Sequence, residues 1–64
     1  MFFVFEIQNN VTTSYSFEDK PTAFEKFFDV ARYIPKSQLE SHCVMIVNEK
    51  GTYLFTPITK NSIA

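Results

Sequence analysis

PTAFEKFFDVARYI, residues 21–34, is the one segment of this chain with a sustained helical period. At about 100° per residue, Ala23, Phe24, Phe27, Phe28, Val30, Ala31 and Ile34 fall within one arc of roughly 160°. Thr22, Glu25, Lys26, Asp29, Arg32 and Tyr33 occupy the other side. So broad a stripe is buried against a flat apolar surface, and the flanking segments read as strands able to supply one. Asp19 is the expected cap, and Pro21 suits the first turn, where its missing N–H costs nothing. Thr22 and Glu25 have capping-box spacing, which would start the helix slightly later. Pro35 ends it, because its ring pushes Ile34 out of the helical region.

Working outward, Phe2–Gln8 alternates with period two. Phe3, Phe5 and Ile7 share one face, and Phe2, Val4, Glu6 and Gln8 the other. Val11–Phe17 alternates too, with Val11, Thr13, Tyr15 and Phe17 opposite a hydroxyl row of Thr12, Ser14 and Ser16. A two-residue turn at Asn9-Asn10 would pair Phe5 with Ser14 and Phe3 with Ser16. A three-residue loop, with Asn10 left-handed, pairs Ile7 with Val11, Phe5 with Thr13 and Phe3 with Tyr15. The second register sets apolar beside apolar and is the expected one.

Beyond the helix, Lys36–Ser41 is a short polar connection. His42–Asn48 (HCVMIVN) is a near-continuous apolar run, which reads as a strand covered on both faces. Asn48-Glu49-Lys50-Gly51 is a turn holding the only glycine, and Thr52–Thr56 returns antiparallel. Pro57 stops pairing, and residues 57–64 are expected to form a loose C-terminal tail.

The expected fold is α+β: one domain, residues 1–64, ordered ββαββ. A four-stranded antiparallel sheet of order 2-1-3-4 carries the helix on one face, reached by a right-handed crossover. This order makes the two strands that are apolar on both sides central, and leaves Val11–Phe17 at an edge. An order of 1-2-3-4 would bury the Ser/Thr row.

A single helix covers one face. With Phe3, Phe5 and Ile7 expected beneath it, Phe2, Val4 and Glu6 would point to the far side. One parity of the third strand joins them there, together with Leu54 or the Tyr53/Phe55 pair. Large apolar side chains then lie on a face the chain has nothing left to cover. At about 25 cal/mol per Å², even roughly 400 Å² of such area is worth about 10 kcal/mol before association costs. The edge residues Thr12, Ser14 and Ser16 carry no charge or proline to block an added strand.

Composition narrows the function. Sixty-four residues lie near the lower limit for unaided folding, and the single cysteine excludes an internal disulfide. Eight Phe and three Tyr supply an aromatic core instead. Net charge is −1, which offers neither a basic face for phosphates nor the acidity of a nucleic-acid mimic. MFFVFEIQ lacks a leading basic residue and is interrupted at Glu6, too short for a secretory or membrane segment. A cytoplasmic location with no membrane partner is expected.

His42 and Cys43 are neighbours on a strand and point to opposite faces, so they make no thiol–imidazole dyad. Glu25 and Asp29, with Lys26 and Arg32, read as a solvated helix face. Glu18 and Asp19 favour the positive helix N-terminus. Glu6, beside Phe2 and Val4, could meet a partner's Lys or Arg. No metal-ligand spacing and no glycine-rich phosphate loop is present, so neither enzyme activity, metal nor cofactor is expected. Phe2, Tyr53 and Phe55 could stack bases, but no basic frame or RRM signature surrounds them, and single-stranded nucleic-acid binding ranks last.

The expectation is a non-enzymatic protein-binding module. It would use Phe2, Val4 and Glu6 or the helix flank of Glu25, Lys26, Asp29, Arg32 and Tyr33, with a homodimeric module as the alternative. Lys outnumbers Arg five to one, and Phe, Ile and Asn are frequent, the usage of an AT-rich genome. In size, usage and lack of motif the chain resembles small bacteriophage and mobile-element inhibitors, anti-CRISPR proteins among them. That resemblance implies an inhibitor or adaptor that blocks a host or defence protein, in the host cytoplasm.

Overall fold

The alternating N-terminal segments form β1 (Phe2–Gln8) and β2 (Val11–Phe17) in the computed structural model, which describes residues 1–60. Asn9 (φ 50°) and Asn10 (φ 69°) are both left-handed. Asparagine tolerates that region better than most residues, and two in succession close a two-residue turn. Gln8 therefore faces Val11, Phe5 faces Ser14, Phe3 faces Ser16 and Val4 faces Tyr15. This corrects the expected three-residue loop: Ile7–Val11, Phe5–Thr13 and Phe3–Tyr15 are not the pairs that form.

Helix α1 runs from Lys20 to Ala31. Asp19 caps it, accepting the Thr22 N–H at 3.0 Å and the Thr22 hydroxyl as well, with Pro21 in the first turn. These bonds, the hydroxyl's above all, hold the Asp19 carboxyl below its ordinary value. Past Ala31 the backbone tightens into three-residue turns. Tyr33 donates to Val30, Ile34 to Ala31, Lys36 to Tyr33 and Ser37 to Ile34. Pro35 sits within them, where it has no N–H to satisfy. The α-helix is thus shorter than expected, yet Ile34 stays on its stripe and is fully buried.

Strand β3 (Cys43–Asn48) pairs antiparallel with β1, setting Val47 beside Phe3, Met45 beside Phe5 and Cys43 beside Ile7. Gly51 (φ 80°) then closes a turn onto the Asn48 carbonyl at 3.0 Å. The Asn48 side chain accepts the N–H groups of Lys50 and Thr52. The expected strand Thr52–Thr56 shrinks to a bridge between Tyr53 and Val47 and one bond from Leu54 to Ile46. Residues 54–57 then leave the sheet, and the Phe55 ring settles against Phe27 and Phe28, with centroids 5.6 and 5.4 Å away. Pairing resumes as β4 (Ile58–Thr59), with Ile58 opposite Val44 and Thr59 opposite Cys43. The expected tail therefore contains the fourth strand; residues 61–64 lie outside the described residues.

The sheet order is β2-β1-β3-β4, antiparallel throughout, with the helix on one face. Val4, Val44 and Ile46 from the sheet meet Ala23, Phe27, Val30, Ala31 and Ile34 in the core. Phe2, Tyr15, Phe17, Phe24, Leu54 and Ile58 border it. Each large apolar side chain fully buried here contributes about 1.5–3 kcal/mol.

The helix thus covers the parity of Phe2, Val4 and Glu6, not that of Phe3, Phe5 and Ile7. The reason is cross-strand. Phe2 and Val4 face Phe17 and Tyr15, so both strands are apolar there, whereas Phe3, Phe5 and Ile7 face Ser16, Ser14 and Thr12.

Candidate functional site

With the helix on one side, no other helix or strand among the described residues packs on the other side of the sheet. Register places Phe3, Phe5 and Ile7 of β1 on it, with Cys43, Met45 and Val47 of β3 alongside. Thr12, Ser14 and Ser16 of β2 flank them on one side, and Tyr53 and Thr59 on the other. The rings of Phe3 and Phe5 stack, 6.3 Å between centroids and 20° between planes. On the helix side Val4, Val44 and Ile46 are completely buried; here Phe3, Phe5, Ile7, Cys43 and Met45 are only partly buried, with Val47 nearly covered. Partial burial pushes the Cys43 thiol up. None of these side chains is a carboxylate, ammonium or guanidinium. Strand spacing gives three such strands a flat footprint of roughly 300 Å².

The helix side holds a polar pair instead. His42 shares the parity of Val44 and Ile46, which places it on the helix side of the sheet. Its Nε2 lies 3.1 Å from Glu6 Oε2, with the two side chains 5 % and 13 % exposed. The same carboxylate accepts the Gln8 amide. His42 Nδ1 is buried with no hydrogen-bond partner among the described residues. Glu6 is therefore engaged with His42 within the chain. Cys43 faces away from His42, as neighbours on a strand must.

A third feature lies between the helix and β2. Phe17, Thr22, Glu25, Lys26, Asp29 and Arg32 line a shallow groove of about 330 Å³. Three of its four charges are engaged: Arg32 Nη2 lies 2.9 Å from Asp29 Oδ1, and Lys26 Nζ sits 4.4 Å above the Tyr15 ring. Exposed pairs of this kind contribute little to stability.

The sequence-predicted surface residues therefore separate. Phe2 and Val4 belong to the helix side, Val4 completely buried. Thr12, Ser14 and Ser16 are exposed on the open face, and Glu25, Lys26, Asp29 and Arg32 gather at the groove while exposed Tyr33 lies outside its lining. Tyr53 and Phe55 part company, one bridged to Val47 and the other against the helix. Phe2, Tyr53 and Phe55 thus make no common aromatic platform.

Sequence reasoning missed Phe3, Phe5, Ile7 and Met45 as the open set. It also missed His42, two residues before Val44 and hence on Glu6's side of the pair Glu6–Val44, the signal that could have found it. Among the described residues no group of three or more His, Cys, Asp or Glu could hold a metal ion, and no helix is long and apolar enough to cross a membrane. Compared with family models, with curated proteins and with solved structures, the chain matched none.

Proposed function

We propose that this chain is a non-enzymatic binding module, an inhibitor or adaptor that occupies the surface of another protein with the open face of its sheet. One observation carries the reading: Phe3, Phe5, Ile7 and Met45 stand together, uncharged, on a face that no helix or further strand among the described residues covers. The largest apolar patch on a small protein is often functional, and patches beyond a few hundred Å² mark docking surfaces. Thr12, Ser14 and Ser16 supply a polar rim that can exchange hydrogen bonds with a partner. A phosphate backbone would find no cation on this face, which sets protein ahead of nucleic acid.

The test is Phe5→Ser beside Arg32→Ala, each checked for an unchanged far-UV spectrum and then titrated against the protein that wild type retains from its native cytoplasm. Phe5→Ser is expected to weaken binding at least about tenfold, and Arg32→Ala to leave it within about twofold. The reverse order would move the docking surface to the helix flank and overturn the reading.

A further inference from the structure

From the outer edge of β2 we infer that two copies of this chain pair through Val11–Phe17 into one continuous eight-stranded antiparallel sheet. The hydrogen-bond ladder fixes which backbone groups face outward. Leu54 donates to Ile46, and Asn48 to Thr52, so Ile46 and Asn48 point away from β1. Alternation across the sheet then turns Val47, Met45 and Cys43 toward Phe3, Phe5 and Ile7. Phe2, Val4, Glu6 and Gln8 bond to Phe17, Tyr15, Thr13 and Val11. Thr12, Ser14 and Ser16 are left directing their N–H and C=O groups off the edge.

That edge is complementary to itself. Around a two-fold axis at Ser14, Thr12 faces Ser16 of the second copy and Ser14 faces its counterpart, each pair exchanging both of its backbone bonds. On the other side Val11, 66 % exposed, comes opposite Phe17 of the second copy, and Thr13 comes opposite Tyr15. VTTSYSF contains no charge and no proline, so no like charges meet and no N–H is missing. The groove beside the edge mixes Glu25 and Asp29 with Lys26 and Arg32, so the two copies approach without net repulsion there.

The pairing stands on the edge alone, whatever covers the face. It also enlarges that face. One sheet offers roughly 300 Å², and two joined edge to edge offer roughly 600 Å² on one side, nearer the ~800 Å² per partner of a stable complex.

Sedimentation equilibrium of the intact chain at high micromolar concentration tests this, with Ser14→Pro, Ser14→Lys and Ser14→Glu alongside. The Ser14 N–H makes no bond to β1, so proline leaves the hairpin ladder intact while removing the central inter-chain bonds. Wild type is expected to be dimeric. Each variant, with wild-type far-UV spectrum, is expected to dimerise at least about tenfold more weakly. Mixing the Lys and Glu variants is expected to restore a dimer, because position 14 meets itself. A monomeric wild type overturns the inference and leaves the edge to solvent or a foreign strand. A dimer indifferent to Ser14→Pro and Ser14→Lys overturns it too, as does failure of the mixture to associate.

Discussion

Glu6 and His42 are the residues whose environment departs furthest from what their types suggest. A carboxylate at 13 % exposure beside an imidazole at 5 % is costly to break from one side only, because the survivor stays buried and unpaired. Glu6→Ala should lower stability in urea by about 1–3 kcal/mol. The double change Glu6→Leu with His42→Leu should recover most of that, since apolar replacements leave no orphan. A neutral Glu6→Ala would mean that the pair is not held as described. Asp19 makes a second case, at the surface. Its carboxyl is held below its unfolded value by Thr22, so its stabilisation is present above that value and is lost as pH falls through the lower, folded one. Asp19→Ala should therefore melt several degrees below wild type at neutral pH, the gap closing in acid; a gap independent of pH would contradict the capping bonds.

At the scale of elements, the hairpin shows how far sequence reading reaches. The first three strands, the helix, its cap and the sheet order follow from periodicity, from Asp19-Lys20-Pro21 and from the contrast between two-sided and one-sided apolar strands. Parity does not, because β1 is apolar on both sides: Phe3, Phe5 and Ile7 compete with Phe2 and Val4 for the helix. Glu6 weighed against the second set until His42 arrived from a strand far along the chain to meet it. The turn length followed from the same choice, and the reversed face carried the candidate site with it. Tertiary packing likewise redirected the last strand, as the Phe55 ring found Phe27 and Phe28 and displaced residues 54–57 from the sheet. The turn itself can be tested. Asn10→Gly relieves a left-handed backbone and should be neutral or stabilising, whereas Asn10→Val should cost about 1–2 kcal/mol in thermal or urea unfolding. Equal effects would contradict a left-handed Asn10.

For the whole molecule, the consequence of a single helix on a four-stranded sheet is asymmetry. One face carries Val4, Val44 and Ile46 at zero exposure; the other carries stacked, partly buried phenylalanines that no helix among the described residues covers. The proposed partner contact and the proposed edge pairing both start from this incompleteness, one across the sheet and one along it. Cys43, the single cysteine, lies on the open face and reports on it without any substitution. The most direct measurement is the rate at which a small thiol reagent labels Cys43 in the dilute native protein as urea is raised below the unfolding transition. An open face predicts labelling from the folded state, slowed by partial burial but flat with urea. A rate that climbs with urea in step with global unfolding would mean that the face is closed and contradict the account.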